Sequence, residues 1–141
     1  MSGFTVQIKG LRELDAALRA LPDEMQAGPV RAGLKAGADV LREGMGLRAP
    51  RDPDPNGVTL ADEIVAVVRV SNAKDTAVAQ IGPSRRAFYG GWQEFGTAHH
   101  AAQPFMRPTL DQDGQIAVAA LAVHLRAGLE RAAKRLAKRG T

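Results

Sequence analysis

Glu94 is the first residue of this 141-residue chain to weigh for chemistry. It is a carboxylate set among aromatics in the run from Phe88 to Pro108, FYGGWQEFGTAHHAAQPFMRP. A carboxylate serves as a general base only where a partner and a pocket orient it. Beside Trp92 and Phe95 it must be either exposed or paired, and Arg107 is the nearest partner in the same run. His99-His100 is the one metal-like pair. Adjacent histidines on one element point in different directions, and no nearby Cys, Asp or Glu completes a ligand set, so a solvated loop without metal is expected. His124 stands beside the apolar stripe of a helix, where a packing or capping role is expected rather than a catalytic one.

Nucleophilic and phosphate chemistry find less support. Ser2, Ser71 and Ser84 lie outside any Gly-x-Ser-x-Gly elbow. Asp52, Asp54, Asp62 and Glu63 fall in and after a polar loop, which does not suggest a facing acid–base pair. No G-x-x-x-x-G-K-[ST] loop is present to cradle phosphates. The absence of cysteine excludes disulfides, thiolate metal sites and cysteine nucleophiles. The expectation is a protein that is not an enzyme and holds no cofactor.

Charge is unevenly spread. The net charge is +4, yet Arg126, Arg131, Lys134, Arg135, Lys138 and Arg139 face one acid, Glu130, in the last stretch of the chain. The tail is therefore basic and the body near neutral. A helix carrying these six cations is a candidate contact for nucleic-acid phosphates or for an acidic partner. Two plainer accounts compete: cations complement the C-terminal end of a helix dipole, and long basic side chains keep an amphipathic helix soluble. The tail has no aromatic residue on which a base could stack.

The aromatics are concentrated elsewhere. Phe88, Tyr89, Trp92, Phe95 and Phe105 share one window, and Phe4 is the sixth and last aromatic of the chain. Aromatic side chains carry large contact area per residue, in cores and interfaces alike. Gly90, Gly91, Gly96, Pro104 and Pro108 punctuate the window. Gly96 suits the end of an element because glycine reaches positive φ without steric cost. Pro104 drives Gln103 towards an extended conformation.

The elements that must position this window read as follows. Phe4 to Lys9 alternates apolar and polar residues, as a short strand does. Leu11, Leu14, Leu18 and Leu21 follow helical spacing, and Pro22 stops that helix. Val30, Leu34, Ala38, Leu41 and Met45 mark a second helix ending near Ala49-Pro50. Gly33, Gly37 and Gly44 cost that helix ~1 kcal/mol each relative to alanine, which points to close approach of a neighbouring backbone. Residues 50–59 form a Pro-rich loop. Glu63 to Val70, with Ile64, Ala66, Val68 and Val70 on one face, pairs with Thr76 to Ile81 as a hairpin. The aromatic window supplies a third strand or a short helix. From Met106 a long C-terminal helix is expected, with a soft spot at Asp111–Gly114 and an apolar stripe of Leu121, Leu125, Leu129, Ala132 and Leu136. The fold class is α+β: a small, mostly antiparallel sheet packed by helices, with a long C-terminal helix, in one domain spanning 1–141. No stretch approaches the ~20 apolar residues of a membrane span. The opening Met1-Ser2-Gly3-Phe4 lacks the pattern of a secretory signal.

Two spaced motifs in the window resemble a known pattern. Tyr89, Trp92 and Glu94-Phe95-Gly96-Thr97, followed by Gln103-Pro104-Phe105-Met106-Arg107-Pro108, look like the signature of the HK97 gp10-like family of tailed-phage morphogenesis proteins. In that family a Y-x-x-x-x-E-F-G-T segment precedes a Q-P-F-M-R-P segment that opens a C-terminal helix. The upstream order, a long helix, a polar loop, then two strands introduced by Leu60 and Ile64, is similar too. Family members often carry Thr-Gly before that leucine, whereas this chain reads DPDPNGVTL. The resemblance implies a non-enzymatic virion protein of the neck or head-proximal tail, acting in tail completion or head–tail joining and assembled in the bacterial host cytoplasm. It implies a homo-oligomeric ring, with six-fold symmetry favoured, beside neighbouring neck and tail proteins. Trp92 and Phe95 are the expected anchors and Glu94 with Arg107 the expected polar lock. The loop at 50–57 is expected to order on assembly. The alternative is a small basic nucleic-acid-binding protein that uses its C-terminal helix.

Overall fold

A computed structural model describes residues 11–50, 59–71, 76–87, 90–99 and 101–140. The strand expected at Phe4–Lys9, the turn between the two hairpin strands, Phe88, Tyr89, His100 and most of the Pro-rich loop lie outside the described residues.

Helix α1 spans Leu11–Arg19 and α2 spans Asp23–Arg48. A single 3-10 turn, Leu60–Glu63, leads into β1 (Ile64–Ser71), which pairs antiparallel with β2 (Thr76–Pro83). A second 3-10 turn at Arg85–Ala87 precedes the short helix α3 (Gly90–Phe95), and α4 runs from Met106 to Arg139. The protein is α+β, with a two-stranded antiparallel sheet and a long C-terminal helix. Among its described residues, the aromatic window contributes a short helix and no third strand of the sheet.

The two long helices pack against each other along most of their length and antiparallel: Pro29 of α2 meets Gly128 of α4, Gly37 meets Ala117, and Gly44 meets Thr109. The seam is built of small residues. A Cβ on Gly128 would sit 2.9 Å from the Cα of Pro29, closer than real Cβ contacts allow, so this crossing requires glycine. Close approach of backbones is thus what Gly33 and Gly37 provide, as their positions in the sequence suggested, whereas Gly44 makes room for the side chains of Asp113, Thr109 and Arg48. Helix α2 begins at Asp23, well before the Val30 that opened the expected periodicity, and passes through Pro29. Proline deprives the helix of one internal hydrogen bond, but here its ring is fully buried against α4 and tertiary packing prevails over propensity.

The hairpin lies on α2. Its register runs from Ile64 opposite Pro83 to Ser71 opposite Thr76. Ile64 is buried and Ala66, Val68 and Val70 half-buried, while Val65, Val67 and Arg69 face outward, as period-2 alternation requires. Two apolar clusters close the ends of the helix pair. Met45, Ala49, Leu60, Ile64, Ala87 and Phe105 fill one end. At the other end, Leu14 and Leu21 meet Ala122, Leu129 and Ala132 of α4. Of the stripe expected on α4, Leu129 and Ala132 are buried, and Leu125 and Leu136 pack half-buried at the margin of that second cluster.

Helix α4 is continuous through Asp111–Gly114, where a soft spot was expected. The reason is tertiary. Gly114 is buried, and Asp113 is held by Arg48 of α2 through Nη1–Oδ2 at 2.7 Å and Nη2–Oδ1 at 3.3 Å. The same guanidinium donates to Thr109 Oγ1 at 3.2 Å, to Gln112 Oε1 at 2.9 Å and to the Gly44 carbonyl at 3.3 Å.

Candidate functional site

The start of α4 poses a local problem. The first-turn N–H groups of a helix have no partner within the helix. Phe105 stands at the N-cap position and offers no side-chain acceptor. Glu94, on α3, supplies the missing acceptor. Its Oε2 accepts the N–H groups of Phe105 at 2.7 Å and Met106 at 2.9 Å, and its Oε1 accepts that of Arg107 at 3.0 Å. The next residue, Pro108, has no N–H to satisfy. One carboxylate therefore meets every donor from 105 to 108, at the end of the helix where its dipole favours negative charge. Glu94 is 6% exposed, so burial and three charge-assisted hydrogen bonds occur together.

The polar lock is thus of another kind than expected. Glu94 does reach Arg107, but through the main chain. The Arg107 guanidinium turns instead over the ring of Phe95, 5.9 Å from its centroid, a cation–π geometry.

The residues between the motifs shape the return of the chain. Gly96 takes φ 75°, a left-handed conformation that glycine adopts freely, and its N–H donates to the Trp92 carbonyl at 2.7 Å to close α3. Thr97 is exposed and its Oγ1 accepts the His99 N–H at 3.2 Å. Gln103 donates its N–H to the Gln93 carbonyl at 2.6 Å, joining the extended segment before Pro104 to α3. Phe105 is fully buried and anchors the corner in the core, and Thr109 Oγ1 donates to the Phe105 carbonyl at 2.6 Å. Thr109 in turn accepts from Arg48, which ties the corner to α2.

What this scaffold presents outward is apolar. Trp92 is 57% exposed and Phe95 70% exposed. Between α3 and the start of α4 a groove of about 310 Å³ is lined by Glu94, Phe95, Pro104, Arg107 and Asp111 among others. Exposed aromatics are side chains that carry large contact area wherever they are covered. Pro108 is half-buried beside them, and Tyr89 lies outside the described residues.

The other candidates do not converge on this corner. His99 is exposed in the loop after α3. His124 is exposed on α4 and is neither a packing residue nor near either helix end, which corrects the expected role. Glu63 accepts from the Ser84 hydroxyl at 2.5 Å, and Asp62 from the Thr59 hydroxyl at 2.6 Å, so these groups pin the approach to the hairpin and its exit. Among the described residues no three His, Asp or Glu side chains gather as a metal site, and no described helix is long and apolar enough to cross a membrane.

The six tail cations divide. Arg131, Lys134, Arg135 and Lys138 follow i, i+3, i+4, i+7 spacing and share one exposed arc of α4. Arg126 lies about a third of a turn to one side of that arc. Arg139 turns towards the start of α2, where Nη1 lies 3.8 Å from Glu24 and 3.6 Å from the Met25 sulfur.

The Arg48–Asp113 pair is the site feature that sequence reading missed. Its members lie 65 residues apart and neither has a local signature. Hydrogen bonding to Arg48, with the attraction of its charge, holds the Asp113 carboxyl below the usual range despite partial desolvation. Comparison of the chain with protein-family models, with curated proteins and with solved structures finds no match.

Proposed function

We propose that this chain is a structural subunit of a tailed phage, prophage or phage-like particle, working by assembly rather than catalysis. In this reading it completes the tail or joins head to tail at the neck, as one of several copies in a ring. Six copies would match a six-fold tail tube, and heterologous contacts that close generate such a ring.

One observation carries the reading. The two motifs that resemble the phage family meet in space: Glu94 of the first satisfies the N–H groups opened by the second, and the corner so made displays Trp92 and Phe95. Large aromatics that stay mostly exposed on a buried, hydrogen-bonded frame suit a subunit that docks through them.

The test is electron microscopy of lysates from a phage or prophage lacking only this gene. DNA-filled heads beside unjoined or aberrant tails are the expected result, restored by the wild-type gene in trans. Intact, infectious particles would overturn the proposal.

A further inference from the structure

The outer arc of α4 near its end has a property that neither docking through the aromatic corner nor the helix dipole explains. Arg131, Lys134, Arg135 and Lys138 occupy one arc of about 100° on a continuous helix. Leu129 and Ala132 are buried on another side of the same turns, and all four cations are exposed. Among the described residues, no carboxylate forms an ion pair with Arg131, Lys134 or Arg135. Glu130 borders Lys134 at i, i+4 but is not paired with it.

Two plainer roles do not account for the arrangement. Stabilisation by the helix dipole fades beyond the last turn, and Arg131 lies two turns before the end at Arg139. Solubility is served best by acids and bases alternating at i, i+4. Here Arg131 and Arg135 are like-charge neighbours at i, i+4, a spacing that opposes helix formation. An arrangement that repels itself in the free protein is relieved by a polyanion laid along it.

We propose that this arc is a binding surface for the phosphate backbone of duplex DNA, independent of base sequence. The arc is about 10 Å long at 1.5 Å per residue, a length over which a duplex presents about six phosphate charges. No aromatic residue occurs after Phe105, so α4 offers no platform for unstacked bases. That favours duplex over single strands. The outer surface of these turns carries alanines rather than large apolar groups, at Ala133 and Ala137. An interfacial membrane helix needs bulky apolar residues beside its cations, so a lipid surface fits less well. The surface stands whether or not the chain forms a ring.

The experiment is fluorescence anisotropy of a labelled duplex of mixed sequence titrated with the full-length protein. Wild-type binding is expected to weaken about a hundredfold between about 50 and about 200 mM salt, the dependence for three to four neutralised phosphates. The variant Arg131→Gln, Lys134→Gln, Arg135→Gln, Lys138→Gln is expected to bind at least about tenfold more weakly at the lower salt, because those contacts are gone. Circular dichroism checks that it remains helical. Arg131→Lys with Arg135→Lys is expected to bind within about twofold of wild type, since a point charge suffices for a backbone contact. Absence of duplex binding at low salt, or equal binding by the glutamine variant, would overturn the proposal. So would tighter binding to single-stranded DNA, or binding to vesicles of anionic phospholipid without binding to duplex.

Discussion

Glu94 and Arg107 are joined through the main chain: Oε1 of the first accepts the N–H of the second at 3.0 Å, while the Arg107 guanidinium lies 5.9 Å above the ring of Phe95. The pair sets charge on both sides of one peptide segment. The carboxylate is buried beneath the first turn of α4, and the guanidinium covers an aromatic at the surface. Two residues that read as an ion pair in sequence are two halves of a corner.

Glu94→Ala leaves the N–H groups of Phe105, Met106 and Arg107 without their acceptor. Loss of a cap costs about 1 kcal/mol and each donor left buried about 1–3 kcal/mol, so a total loss of at least about 2 kcal/mol is expected. For a chain of this size that lowers Tm by about 5–10 °C. Glu94→Gln, which keeps one acceptor oxygen, should fall between. An unchanged melting curve for the alanine variant would remove the cap from the account.

Trp92→Ala and Phe95→Ala should separate stability from assembly. Both side chains are mostly exposed, and surface changes of this kind usually alter stability by less than about 0.5 kcal/mol. Each variant is expected to melt close to wild type and to fail to restore particle formation when supplied in trans. Full complementation by both would show that the exposed aromatics are not the docking surface.

Asp113 makes stability depend on pH with a defined sign. Its carboxyl is held below the usual range in the folded protein, chiefly by the hydrogen bond from Arg48. The unfolded chain therefore takes up this proton first as pH falls. The contribution is present in full above the ordinary aspartate value of about 3.9 and is lost as pH falls through the lower folded value. The difference in urea midpoint between wild type and Asp113→Asn is expected to be largest at neutral pH and to shrink towards pH ~3. A difference constant across that range would contradict the pairing.

Gly128→Ala sets two effects of opposite sign against each other. Alanine is the better helix former by about 1 kcal/mol. The added Cβ, however, would lie 2.9 Å from the Pro29 Cα, a backbone atom that cannot swing aside. Overpacking of this kind costs about 1–3 kcal/mol, so a net loss is expected. Chemical denaturation gives the sign directly, and a stabilised variant would mean that α2 and α4 separate easily at this point.

Much of the framework was legible because its signals are local. Alternation at Ile64, Ala66, Val68 and Val70 marks a strand with one buried face wherever it packs. The leucine spacing of α1 and the Gln103-Pro104 junction before α4 are set by backbone sterics over a few residues. The clustering of aromatics around Glu94 marked the corner. By itself, then, the sequence determined the order of the long helices and the hairpin from Leu11 onward, the α+β class, the place of the corner and the basic character of the last turns of α4.

The tertiary structure decided what those residues touch. Glu94 serves three main-chain donors because α3 and the start of α4 converge, and main-chain N–H groups leave no mark in residue type. Arg48 finds Asp113 across 65 residues only because α2 and α4 run antiparallel at close range. Pro29 sits inside a helix because Gly128 makes room for it, a complementarity of shape rather than of pattern. The tail cations divide into an exposed arc and a pair with Glu24 only once the start of α2 is set beside the end of α4. Local sterics and periodicity act over one or two turns and can be read along the chain. Hydrogen bonds, close packing and charge pairing act through space, so the partners exist only after the chain has folded.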